Sequence, residues 1–264
     1  MSRPRGAKET PNRETPNRET PKETTRGATQ TLKAVLGVRD LVVSGDMAPG
    51  ERLSEINVSE RLGLSRTPVR AALARLEQEG LLESIPSGGY TIRAFTEADV
   101  GDAIELRGVL EGTAARLAAE RGLPPARLAA MKDVVARLDA VVAVDPAEID
   151  LDAYVALNAE FHTMLAQAAG SRIVQRELDR VMQLPFAGPS AFLRAQTSVP
   201  SFRASLAFGQ AQHRALVQAI EMREGTRAEM VAREHARLAR LNLDMVMKDR
   251  ALMDAVPGLK LVSG

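Results

Sequence analysis

The chain has 264 residues, 35 basic and 34 acidic, with 45% hydrophobic and 26% charged content, long enough for two cores and neither fibrous nor wholly disordered. It contains no cysteine, which excludes disulfides, thiolate zinc sites and cysteine nucleophiles. No apolar run approaches the roughly 20 residues needed to cross a bilayer, and the polar N-terminus is unlike a signal peptide, so the expected location is the cytoplasm, with no membrane partner.

Aromatic residues make up only 3% of the chain and tryptophan is absent, while alanine, leucine, arginine and glutamate dominate. That composition predicts a mainly α protein packed through aliphatic side chains. Residues 10–24 read "TPNRETPNRETPKET", a short repeat without large apolar side chains, which cannot bury enough surface to order itself. Residues 1–28 are therefore expected to form a disordered tail. A basic arm on nucleic acid is the weaker alternative, because the glutamates offset the arginines.

Residues 29–95 form the first expected domain. Helical periodicity begins near Thr31, with Leu32, Val35, Leu36, Val38 and Val42 on one side, and stops at "SGDMAPGERL", where Gly45, Pro49 and Gly50 mark a loop. Ser54 can cap a short helix to Leu62, with Gly63 at its left-handed end. Ser65 can cap the next helix, which places Pro68 in the first turn, where a missing N–H removes no intrahelical bond. Val69, Ala72, Leu73 and Leu76 share an inward arc. Thr67, Ala71, Ala74 and Gln78 lie opposite, and Arg66 and Arg70 stand on the flank. Two short helices joined by a glycine-containing turn read as a helix-turn-helix. Around Ser87–Gly89, the segments holding Ile85, Tyr90 and Ile92 read as a hairpin, which makes the module a winged helix.

The stretches "GDMAPGERLSE", "ERLGLSRTPVRAALARLEQEGLLE" and "GGYTIR" resemble the DNA-binding domain of GntR-family bacterial transcription regulators. The resemblance implies that Arg66, Thr67 and Arg70 contact operator DNA and that the wing glycine Gly89 approaches the minor groove. Ala71 stands where relatives often carry glutamate.

Residues 96–250 are expected to form an all-α effector-binding and dimerisation domain of six helices, near 97–121, 124–143, 150–169, 171–186, 201–224 and 226–248. Leu106, Val109, Leu110, Ala114 and Leu117 on the first, and Leu216, Val217 and Ile220 on the fifth, read as core. Residues 251–264 are expected to be a C-terminal tail.

The chain's three histidines all fall in this bundle. Asn158 and His162 are four apart and share a helix face. His213 and His235 lie twelve and ten residues either side of Gly225, so an antiparallel hairpin about that glycine brings the imidazoles to similar height. A single such histidine is more often a surface or hydrogen-bonded residue. Three imidazoles with an amide oxygen suit a divalent metal ion, zinc first, nickel or manganese next.

The bundle resembles the FCD effector domain of the FadR-type branch of the GntR family, and six helices resemble its smaller VanR-like subgroup. The resemblance implies that Asn158, His162, His213 and His235 hold the metal and that a small organic acid binds beside it. Arg107 matches an arginine that faces the pocket; a salt bridge with Glu111 at i+4 is its alternative. Tyr154 and Asn242 share the metal-facing stripe. The expected function is that of a homodimeric, ligand-responsive regulator, a repressor of double-stranded operator DNA. A metal-dependent hydrolase and a dedicated metal sensor are the competing readings. Against the hydrolase, there is no His-Glu-x-x-His pairing, and Glu160 points away from the ligand face.

Overall fold

A computed structural model describes residues 21–143, 148–184, 186–190, 200–255 and 259–263. Helix α1 (Pro21–Val43) is followed by β1 (Arg52–Leu53), α2 (Glu55–Leu62), α3 (Arg66–Gln78), β2 (Leu82–Ser84) and β3 (Tyr90–Ile92). The strands form an antiparallel sheet in the order β1-β3-β2. This is a winged helix-turn-helix.

Local chemistry explains its corners. The Ser54 hydroxyl accepts from the Asn57 amide at the start of α2, and Gly63 ends that helix at φ 63°. Ser65 occupies the cap position of α3 without a side-chain capping bond. Val69, Ala72, Leu73 and Leu76 are buried as the periodicity predicts. On α1, Val35, Val38 and Val42 are buried, but Leu32 and Leu36 are exposed.

Two expected boundaries need correction. Helix α1 begins at Pro21 and takes in residues 21–28 of the expected tail, while residues 1–20 lie outside the described residues. Proline suits a helix start, and Gly27, Ala28 and Thr29 are exposed, so no apolar pattern marks this first stretch. The C-terminal segment is likewise not a tail. Helix α10 (Arg250–Ala255) and a 3-10 turn (Leu259–Leu261) lead to β5 (Val262–Ser263), which pairs in parallel with β4 (Phe95–Thr96). Leu259 and Leu261 are buried in the same core as α1, α3 and the wing. The segment is too short for periodicity to reveal its packing.

The bundle helices are α4 (Glu97–Arg121), α5 (Pro125–Val142), α6 (Leu151–Ala168), α7 (Arg172–Met182), α8 (Pro200–Glu221) and α9 (Gly225–Val246). Thr96 and Asp99 form a reciprocal capping box that starts α4 directly after β4. The most extensive helix pair among the described residues is α4 with α9. Glycines permit that approach: a Cβ at Gly108 would lie 2.9 Å from the Ala236 Cβ, and one at Gly112 would lie 2.8 Å from the Arg233 Cγ. The packed face of α4 therefore carries Gly108, Gly112, Ala115 and Ala118 together with Arg107 and Glu111. Leu106, expected in the core, is exposed; Ala114 is buried, and Val109, Leu110 and Leu117 are half-buried. On α8, Leu216, Val217 and Ile220 are buried.

Val100, Ile104, Phe186, Leu243 and Val246 of the bundle belong to one core with the winged helix and the C-terminal turn. Leu261→Ala should therefore destabilise the fold by about 2–5 kcal/mol, as expected for removing a fully buried leucine side chain. Urea unfolding followed by circular dichroism measures this, and a loss below about 0.5 kcal/mol, the usual size of a surface effect, would contradict the packing.

Candidate functional site

Helices α6, α8 and α9 bring His162, His213 and His235 together, with one ring nitrogen from each lying within 4.8 Å of the others. The Nε2 atoms of His213 and His235 are 3.0 Å apart, and those of His235 and His162 are 3.4 Å apart. Each ring's other nitrogen is already held. Nδ1 of His162 lies 2.8 Å from Glu111 Oε1, Nδ1 of His213 lies 3.0 Å from Gln210 Oε1, and Nδ1 of His235 lies 3.1 Å from Gln212 Oε1. The Gln210 amide is itself oriented, because its Nε2 donates to the Val135 carbonyl and to Asp139 Oδ1, each at 2.9 Å.

Gln210 fixes one tautomer: its Nε2 is spent on Val135 and Asp139, so its Oε1 accepts from the His213 Nδ1–H and the His213 Nε2 faces the centre. The Glu111 carboxylate can only accept, so the His162 Nδ1 carries a proton toward it. Burial, followed by the neighbouring His162 ring, pushes His213 well below its ordinary value of 6.5. Burial and the two other rings do the same to His235. At neutral pH both rings are neutral. Burial alone would favour the neutral acid at Glu111, but the His162 ring and the Arg107 guanidinium outweigh it and hold the carboxyl at about 2.

Asn158 stands one turn before His162. Its Nδ2 donates to Ser190 Oγ at 3.0 Å, while its Oδ1 is buried with no hydrogen-bond partner. Three convergent ring nitrogens and an orphaned amide oxygen form a donor set suited to a divalent cation. The Nδ1 acceptors orient the rings as outer partners do in metal sites.

A cavity of about 30 Å³ adjoins this cluster, lined in part by Arg107, Tyr154, Asn158, His235 and Asn242. That is room for about two waters or one carboxylate group. Arg107, Tyr154 and Asn242, which the sequence places on separate helices, thus share one cavity. Arg107 Nε is 3.7 Å from Glu111 Oε2, the ion pair expected at i+4, and Arg107 also lines the cavity. Its Nη1 donates to the Ala187 carbonyl at 2.7 Å, while its Nε and Glu111 Oε2 make no hydrogen bond. Burial lowers the Arg107 pKa against the pull of Glu111, yet an arginine stays cationic. Burial also raises the Tyr154 pKa. Glu160 is exposed and faces Arg137, away from the cluster.

Sequence reasoning missed Gln210, Gln212 and the role of Glu111 as the His162 acceptor. Gln210 had a detectable signal, since it precedes His213 by three residues on one helix face. Glu111 lies 51 residues from His162, and no spacing rule reaches it.

In the winged helix, Arg66, Thr67, Arg70 and Ala71 are exposed on α3. Glu55 at the start of α2 holds Arg70 through two bonds of 2.6 and 2.9 Å and pairs with Arg66 at 3.3 Å. The Arg70 hydrogen bond is the chief reason that the Glu55 pKa is lowered. At the wing tip Gly89 has φ 91°, and a Cβ there would fall 2.8 Å from the Leu53 carbonyl oxygen. Glycine is thus required at that position by the backbone itself. Arg52 braces the same turn by donating to the Gly88 carbonyl at 2.7 Å.

A winged helix-turn-helix core-packed against a helical bundle that encloses a three-imidazole centre defines a DNA-binding module joined to a sensory domain. The family comparisons make the assignment specific: residues 30–92 match the bacterial regulatory proteins of the gntR family and residues 102–238 match the FCD domain. The chain belongs to the GntR family of bacterial regulatory proteins and carries an FCD domain.

It is 34% identical to an HTH-type transcriptional regulator in an unstable DNA locus of Streptomyces ambofaciens, over 55% of this chain and 59% of that protein. It is 26% identical to the HTH-type transcriptional repressor GlaR of Escherichia coli, over 74% of this chain and 86% of that protein. Among solved structures, E. coli McbR/YncC shares the fold with a TM-score of 0.59 at 21% identity, over 82% of this chain and 97% of that one. The families and relatives are transcriptional regulators, not enzymes. No helix of the described residues is long and apolar enough to cross a membrane.

Arg70→Ala should weaken binding to a duplex selected from a random library by about 1–3 kcal/mol, the range for losing a base-edge contact. Thermal unfolding should be little changed, because Arg70 is exposed. Titration at fixed salt measures the affinity, and an unchanged value would remove Arg70 from the DNA interface.

Proposed function

We propose that the protein is a homodimeric, metal-containing repressor that releases operator DNA when a small organic acid binds in the bundle. The observation that carries this reading is the set of three imidazole nitrogens facing one another beside a buried, cationic Arg107. A divalent ion, zinc first, would supply a positive centre and an open coordination position for a carboxylate. His162, His213 and His235 would hold it through Nε2, with Asn158 offering its amide oxygen. Arg107 would receive the second carboxylate oxygen, and Tyr154 and Asn242 would bound the rest of the ligand.

The cavity favours this reading over a dedicated metal sensor. A sensor needs the ligands alone, whereas Arg107, Tyr154 and Asn242 line space adjoining the cluster and carry a cation and polar groups toward it. The proposed DNA contacts are Arg66, Thr67, Arg70 and Gly89. Two copies are required because paired recognition helices enter successive major grooves about 34 Å apart. The proposed boundary between the two functional units falls between residues 95 and 96.

Purified protein should carry about one divalent ion per chain, and alanine at His162, His213 or His235 should each abolish stoichiometric binding, because too few donors would remain to compete with water. Thermal-shift screening of zinc-loaded protein against small organic acids should then find a ligand that raises the melting temperature and weakens operator binding. Full metal occupancy in the three variants would refute the metal site. Equal stabilisation by the acid with and without metal would move ligand binding elsewhere.

A further inference from the structure

The described residues that follow α7, 183–184 and 186–190, are held at two places, and this deepens the proposed function by naming how the proposed ligand site reaches the DNA-binding domain. At the bundle end, Ser190 Oγ accepts from Asn158 at 3.0 Å and the Ala187 carbonyl accepts from Arg107 at 2.7 Å. At the other end, the Gln183 carbonyl and side-chain oxygen accept from Arg39 of α1 at 2.8 and 2.7 Å. Arg39 also pairs with Glu79, which closes α3 and binds Arg75 of that helix at 2.9 Å.

Apolar contacts follow the same route. Phe186 packs edge-on against Phe95, with ring centroids 5.8 Å apart, and is buried in the winged-helix core. Leu184 lies beside Gly80, the turn that ends α3: a Cβ on that glycine would be 3.6 Å from Leu184 Cδ2. The Ala187 amide donates to the Leu184 carbonyl at 3.2 Å, so the segment is a hydrogen-bonded turn and not a loose tether.

Contiguity alone does not transmit a signal; both ends must bias one element. Here the bundle end is built from the two residues that a metal and an acid would engage. Asn158 has its oxygen free of hydrogen bonds while its nitrogen holds Ser190, and Arg107 has its Nε free of hydrogen bonds while its Nη1 holds Ala187. A cation drawing the Asn158 oxygen pulls on the Ser190 bond. An anion drawing the guanidinium competes with the Ala187 carbonyl.

We propose that Gln183, Leu184 and Phe186–Ser190 form a regulatory strap, through which occupancy at Asn158 and Arg107 repositions Arg39 and Glu79 and hence the C-terminal end of α3. Arg39 and Gln183 act as positioning residues, since neither touches ligand or DNA in this account.

Hydrogen exchange of the full chain, with zinc ion as the probe, tests this. Zinc should change the exchange rates of the Glu79–Leu82 amides at least about threefold in the native sequence. Arg39→Met should remove that change while calorimetry shows zinc affinity within about twofold of native. Unchanged amides in the native protein on zinc binding, or a full response in Arg39→Met, would overturn the strap. If calorimetry finds no zinc binding, the proposed metal site fails on its own. Arg107→Met then carries the test without a metal, because it removes the Arg107 bond to Ala187: in a background carrying Glu111→Gln, which removes the buried charge Arg107 would leave behind, exchange at Glu79–Leu82 that changes more than in Glu111→Gln alone supports the strap, and exchange equal to that of Glu111→Gln alone overturns it.

Discussion

The three imidazoles meet because their other nitrogens are anchored, Nδ1 of His162 at Glu111, that of His213 at Gln210 and that of His235 at Gln212. Their Nε2 atoms therefore face one another at 3.0 and 3.4 Å, and no ring can turn away without breaking its Nδ1 contact. A divalent cation at that point would meet all three rings at once.

The constraint begins on α4. A buried Glu111 needs positive partners, and it has them in Arg107 on its own helix and in the His162 Nδ1–H across the interface. Removing one member of such a group leaves an uncompensated buried charge, which costs more than the pair contributes. The close approach of α9 at Gly108 and Gly112 sets His235 beside the two other rings. From this base α4 continues backward through its capping box into β4, and β4 pairs with β5. The imidazole cluster and the winged helix therefore share covalent and packed connections at α4, at the proposed strap and at the C-terminal turn.

Much of this was legible in the sequence because it rests on local rules. The Ser54 and Gly63 corners, the buried arc of α3 and the six bundle helices follow from capping, glycine conformation and periodicity. The histidines were found through helix spacing and a hairpin argument that needed only Gly225 as its pivot. What escaped has a common cause: the inner face of α4 is made of glycine, alanine, arginine and glutamate, so a search for large apolar residues selects Leu106, which is exposed. Leu32 and Leu36 fail for the same reason, since an apolar residue at the edge of a helical stripe does not announce which side is packed. The C-terminal turn and the Gln183–Arg39 contact, 144 residues apart, depend on long-range packing that no local pattern encodes.

The arginine pair on α3 and the three-imidazole centre belong to different physical regimes. Arg66 and Arg70 are exposed and screened, so their pairing with Glu55 contributes little to stability and is readily exchanged for phosphate or base contacts. The imidazoles, two buried and one half-buried, are each anchored at Nδ1, and their proposed role is to hold one divalent ion. X-ray absorption spectroscopy of the zinc-loaded protein tests that central claim most directly. The account predicts a first shell of nitrogen and oxygen donors at about 2.0–2.1 Å, the usual range for zinc with histidine and carboxylate ligands, with the multiple-scattering signature of three imidazoles. A shell of oxygen donors alone, or a zinc spectrum unchanged by replacing His213 and His235 together, would contradict it.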